Sequence, residues 1–161
     1  MYTQIPAIAD ASGLRIGLAV SQYHVEVTQK LRDGAVKQFL EQGGDESKLL
    51  VVPVPGAFEL IAACRAFAHR EGIDAAVAIA CVVTGETAHD EYINQALTHG
   101  ISTIICQFGM PIGFGVLTCP SMDHARARAG GAKGNKGAEA MKAAIEMACT
   151  LQALRRAEGG E

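Results

Sequence analysis

The chain has no surplus of positive charge. Its 161 residues carry 14 Lys and Arg against 17 Asp and Glu, a net charge of −3 and a pI near 5.9. A nucleic-acid binder shows a basic patch or stripe, and none of that size is present. No apolar run reaches the ~18 residues of a membrane span. The first thirteen residues, MYTQIPAIADASG, lack a basic segment followed by an apolar one, so no secretory signal is expected. Cysteines number five, and none forms a C-x-x-C pair. Cys64, Cys81, Cys106, Cys119 and Cys149 mostly sit inside apolar runs, which reads as buried reduced thiols in a cytoplasmic protein. Repeats, linkers and low-complexity tracts are absent. Tryptophan is absent too, and aromatics make up only 5%.

What the chain does have is glycine, 18 of 161 residues, above the usual share of about 7%. A content of 49% hydrophobic residues is too apolar for disorder. The length suits one domain at roughly 100–200 residues each, and that domain is expected over 1–161 with an extended arm at 1–12.

Apolar runs at 14–20, 49–54, 74–83 and 112–118 predict four strands. Pro53 weakens the second as a central strand. Helical spacing predicts helices at 25–42, 57–70, 88–107, 120–128 and 135–156. Val27, Leu31, Ala35, Phe39 and Leu40 are expected on the apolar side of the first. Tyr92, Ile93, Ala96, Leu97, Ile101, Ile104 and Ile105 are expected on that of the third. Strands alternating with helices predict an α/β sandwich of three layers. Its four-stranded, mainly parallel sheet would carry helices on both faces.

Ligands bind beyond the carboxyl ends of such strands. Ser21-Gln22-Tyr23-His24 offers an aromatic that either stacks on a flat heterocycle or packs, while His24 is expected at the surface. In Pro55-Gly56-Ala57-Phe58-Glu59, Glu59 is either an acceptor for ligand hydroxyls or a solvated first-turn acid, and Phe58 is core in the second case. Thr84-Gly85-Glu86-Thr87-Ala88-His89 puts a free turn and a helix start beside His89, suited to an anion and to proton transfer. The same residues, with Asp90, also fit a plain capping box. The stretch 126–137, RARAGGAKGNKG, lacks the G-K-[ST] of a Walker loop. It reads as a flexible basic loop, either a single-phosphate site or a solvated surface. Phe114 lies near the start of the fourth strand, opposite the other loops, and shares their pocket only from a neighbouring subunit.

Together, VPGAFEL (54–60), GETAH (85–89), PIGFGVLT (111–118), RAGGAKGNKGAEA (128–140) and AAIEMA (143–148) resemble the 6,7-dimethyl-8-ribityllumazine synthase family, from about Arg15 to Leu151. The resemblance implies a flavodoxin-like fold and homo-oligomers (pentamers, decamers or larger shells) with active sites at subunit interfaces. It implies condensation of 5-amino-6-(D-ribitylamino)uracil with 3,4-dihydroxy-2-butanone 4-phosphate, without metal or organic cofactor, and riboflavin synthase as a partner. Carried over by motif, Tyr23 would stack on the pyrimidine. Ala57, Phe58 and Glu59 would meet the ribitylamino substrate, which Cys81, Val82 and Val83 would line. Glu86 and Thr87 would meet the four-carbon phosphate, His89 would shuttle protons, and Arg128 from the adjacent subunit would pair with the phosphate. Phe114 and Lys136 would close the pocket from that neighbour.

Two positions depart from the family. Gln22-Tyr23-His24 stands where Phe or Trp followed by Asn is common, and Thr84 where an arginine is common. These departures admit a second reading, a weakly active or non-catalytic paralogue that binds a flavin or lumazine. A flavin electron carrier is disfavoured by the missing Trp and by the lack of a Ser/Thr-rich loop after the first strand.

Overall fold

Four β-α units in succession leave one economical arrangement, a parallel sheet with its crossover helices on the two faces. The computed structural model, which describes residues 2–158, has that arrangement. In chain order the elements are β1 (Ile16–Ser21), α1 (Val25–Glu41), β2 (Leu49–Val54), α2 (Leu60–His69), β3 (Ala75–Val83) and α3 (His89–Phe108). β4 (Ile112–Cys119), α4 (Met122–Arg128), β5 (Ala129–Gly131), β6 (Gly134–Asn135) and α5 (Lys136–Glu158) follow. The main sheet runs β2-β1-β3-β4, all parallel. Pro53 therefore lies on an edge strand, where its missing N–H costs least.

Residue period 2 along β1 and β3 sends alternate side chains to opposite faces. Ile16, Leu18, Val77, Ile79 and Cys81 join a core beneath α1, α4 and α5. Ala19, Ala76, Ala78 and Ala80 face α2 and α3. The alanines on this second face bring those helices close.

Gly113 and Gly137 admit the close approach of backbone from another element. A Cβ on Gly113 of β4 would strike the carbonyl of Ala140 in α5, and one on Gly137 would strike the carbonyl of Leu31 in α1. The α5 backbone thus lies directly against β4 and α1. α1 ends at Gly43-Gly44, whose amides return to the carbonyls of Leu40 and Phe39.

Several expectations shift. β1 begins at Ile16 because the Arg15 amide donates to the Asp74 carboxylate at 2.8 Å. Leu40 is 43% exposed and lies outside the core. The stretch expected to be a flexible loop folds into an antiparallel ribbon, β5-β6, because Asn135 ties it down. The Asn135 side-chain amide donates to the Lys30 carbonyl at 2.9 Å, and its oxygen accepts from the amides of Gly137 and Ala138. Residues 2–10 carry no regular structure, while Ala11 is fully buried and its amide donates to the Gln42 carbonyl. The glycine excess admits disorder only at Gly159-Gly160, and these two lie outside the described residues.

Candidate functional site

Beyond the carboxyl ends of β1, β2 and β3 the connecting loops surround a cavity of about 930 Å³. Buried Ser21 shapes the first loop, its hydroxyl accepting the Tyr23 amide at 3.2 Å. The Gln22 amide donates to the Val54 carbonyl, which links the first loop to the second. In the second loop, Ala57, Phe58 and Glu59 form a turn whose carbonyls accept from the first amides of α2. In the third loop the Thr87 hydroxyl accepts from the His89 amide at 3.4 Å.

Nine of the residues singled out from sequence line this cavity: Tyr23, Ala57, Phe58, Glu59, Cys81, Val82, Val83, Thr87 and His89. Phe58 is 54% exposed, so the reading that made it core does not hold. No capping box forms around Asp90. Ala88 caps α3 without a side-chain hydrogen bond, and Asp90 lines the cavity instead. Glu86 is exposed in the same loop but does not line the cavity.

Five lining residues, His24, Asp90, Tyr92, Ile93 and Ala96, escaped sequence reasoning as site residues. His24, expected at the surface, is half-buried, and its ring lies edge-to-face with that of Tyr23 at 4.7 Å. It also holds a left-handed backbone, φ 54° and ψ 52°, which costs an L-residue roughly 1–2 kcal/mol. Tyr92, read as part of the apolar side of α3, is 70% exposed. Nothing in its spacing separates a helix turn that meets the sheet from one that overhangs a cavity.

The charge is divided. Glu59 and Asp90 line the large cavity, and no Lys or Arg does. The cations surround a second cavity of about 280 Å³ past the end of β4. Arg128, Lys133 and Lys136 line it, with Glu139 and residues 116–119. Lys136 Nζ lies 3.1 Å from Glu139 Oε2, whereas Arg128 and Lys133 make no ion pair among the described residues. Arg126, grouped with these cations in the sequence, is turned away, holding Glu26 of α1 and Asp123 at 3.0 Å each. Its guanidinium keeps the Glu26 carboxyl below the usual range through their hydrogen bond and charge. Phe114 lines neither cavity and packs half-buried against the α2/α3 face of the sheet.

The cavities meet the sheet on adjacent strands. Cys81 lines the first and Cys119 the second. Thr84, at the family's arginine position, donates from its amide to the Cys119 carbonyl at 2.9 Å and so joins the two strand ends. Burial pushes the Cys81 thiol up to about 11, helped by nearby Cys119, so this cavity-lining sulfur is neutral and a poor nucleophile. The other lining side chains able to exchange a proton are those of Tyr23, His24, Glu59, His89, Asp90 and Tyr92.

The sequence profile of 6,7-dimethyl-8-ribityllumazine synthase matches residues 13–152. The chain belongs to the 6,7-dimethyl-8-ribityllumazine synthase family. The lumazine synthase of Thermus thermophilus is 42% identical over 149 residues, covering 92% of this chain and 95% of its own. That of Porphyromonas gingivalis is 42% identical over 147 residues, covering 91% and 89%. That of Aquifex aeolicus is 37% identical over 145 residues, covering 90% and 94%. The lumazine synthase match spans both cavities.

Proposed function

We propose that the protein is a lumazine synthase whose active site forms between two protomers. The substrates are 5-amino-6-(D-ribitylamino)uracil and 3,4-dihydroxy-2-butanone 4-phosphate. The observation that carries the arrangement is the division of charge. A phosphate ester needs a cation, the large cavity has none in its lining, and Arg128 and Lys133 in the second cavity make no ion pair among the described residues. Bringing the second cavity of one protomer to the first cavity of its neighbour supplies what each lacks. Such a contact joins two different surfaces, and repeated with a closing rotation it makes a ring. The ring proposed is the pentamer.

In this site the Tyr23 ring stacks on the pyrimidinedione and Glu59 accepts from ribityl hydroxyls. Ala57, Phe58 and the strand end Cys81, Val82 and Val83 enclose the ribitylamino substrate. Glu86 and Thr87 meet the four-carbon substrate, and the neighbour's Arg128 pairs with its phosphate. Lys136 and Phe114 of the neighbour close the pocket around the pyrimidine. The 5-amino nitrogen attacks the ketone and water leaves, giving an imine. His89 then takes the proton from the adjacent carbon, and the electron pair expels phosphate by breaking its C–O bond. After tautomerisation the ribitylamino nitrogen attacks the remaining carbonyl, and loss of a second water closes the ring. Holding two reactive partners together supplies most of the acceleration, and His89 adds proton transfer. The protein acts in the cytoplasm, and riboflavin synthase is the partner that takes the product.

The test is to mix both substrates with purified protein and follow product absorbance. The expected rate is well above the spontaneous one, and a rate no higher rejects the synthase reading.

A further inference from the structure

His24 is the wrong residue locally, on two counts. Among the described residues it is the sole non-glycine with positive φ. It also caps α1 without a side-chain hydrogen bond, where Ser, Thr, Asn or Asp is favoured. Glycine would remove the strain and asparagine would tolerate it. A strained residue persists where surrounding structure or ligand binding needs it.

What His24 contributes is its ring. The imidazole lines the large cavity and meets the Tyr23 ring at 4.7 Å with an interplanar angle of 69°. Tyr23 is 66% exposed, and no other aromatic ring contacts it among the described residues. Its backbone is already held through Ser21, so the side chain is the part left to order. A stacking ring that orders only when ligand arrives loses affinity to the entropy of ordering. An edge-to-face neighbour removes part of that loss.

We propose that His24 is a positioning residue, bracing the Tyr23 ring over the cavity so that it is preformed to stack on a flat pyrimidine. This rests on the reading of the cavity as the pyrimidine site. The left-handed turn is the cost of aiming the imidazole at that ring.

The test is calorimetric titration of 5-amino-6-(D-ribitylamino)uracil, without the second substrate, into wild type, His24→Gly, Tyr23→Ala and the double variant. His24→Gly is expected to bind about three- to tenfold more weakly. In the Tyr23→Ala background the same change is expected to add no further loss, since the brace acts through that ring. The KM for the phosphate substrate stays as in wild type. The unfolding midpoint of His24→Gly is not lowered, because strain is relieved. His24→Asn, which lacks the ring, follows His24→Gly. Unchanged affinity in His24→Gly, or a loss that persists without Tyr23, overturns the proposal. So does a lowered midpoint with equal loss for both substrates, which marks a structural role. If wild type binds the pyrimidine without accelerating the condensation, the activity fails while the titrations still decide the brace. If wild type is active and His24→Gly binds as tightly, the brace alone fails. A wild type that does not bind the pyrimidine overturns both.

Discussion

In the proposed mechanism His89 and Arg128 divide the chemistry by type, so their variants should divide the kinetics. Removing the proton shuttle while positioning remains should lower kcat about ten- to a hundredfold without abolishing turnover, for His89→Ala. Loss of a charged hydrogen bond to phosphate is worth about 1.5–3 kcal/mol, so Arg128→Ala should raise KM for the phosphate substrate about ten- to a hundredfold. Steady-state kinetics with each substrate varied in turn separate the two, and equal changes in both parameters for both variants contradict the division. The buried thiols set a second behaviour. Burial raises Cys64 to about 12 and Cys81 to about 11, above the 9.0 of a free thiol. Between pH 9 and 11 the unfolded chain therefore gives up protons that the folded chain keeps, and stability falls as pH rises. The urea midpoint should drop between pH 8 and 10.5, and drop less in a Cys64→Ala, Cys81→Ala variant. An equal drop in both would assign the loss to other groups. Most single residues of the large cavity were legible because polar loops after apolar strands are conspicuous. Tyr92 and His24 were not. One shares its helical period with core residues, and the other depends on a backbone angle that composition does not reveal.

The β5-β6 ribbon and the start of α5 form one unit. Its glycines and lysines look like a mobile loop in sequence, yet one side chain organises it. Asn135 caps α5 by accepting hydrogen bonds from two backbone amides, and it fastens the ribbon to α1 by donating to the Lys30 carbonyl. Asn135→Ala should cost about 1–2 kcal/mol of stability. It should also raise KM for the phosphate substrate, because Lys133 and Arg128 flank the loosened ribbon. Denaturant unfolding and kinetics check the two effects, and an unaltered KM would show that the cations keep their places without the cap. The glycine excess changes meaning at this scale. Gly56 and Gly85 do line the cavity, but Gly113 and Gly137 are there because helix backbone lies against them. Gly137→Ala should lower stability by about 3 kcal/mol, at the upper end for overpacking, since a carbonyl cannot step aside as a side chain can. Strands and helices were legible from their periods, and their ends moved where a cap or carboxylate intervened. Close approach between α5 and α1 was hidden, because a packing glycine and a turn glycine are the same letter.

At the scale of the molecule, the sheet topology follows from β-α alternation, and family membership from the order of the motifs. In the proposed arrangement a single chain does not complete the site. The cavity that holds His89 and the cavity that holds Arg128 sit on one protomer, and in the proposed assembly their charges would complement each other between copies. On a sizing column the protein should run as a multiple of its 16.9 kDa chain, and a clean monomer contradicts a shared site. The decisive measurement mixes the two crippled variants. His89→Ala and Arg128→Ala protein are unfolded together, refolded as mixed assemblies, and assayed at low phosphate-substrate concentration. If each site draws His89 from one protomer and Arg128 from its neighbour, about one site in four regains both groups. Activity should then rise well above the mean of the separately refolded variants. Activity equal to that mean would place both residues in a site built within one chain and contradict the shared site.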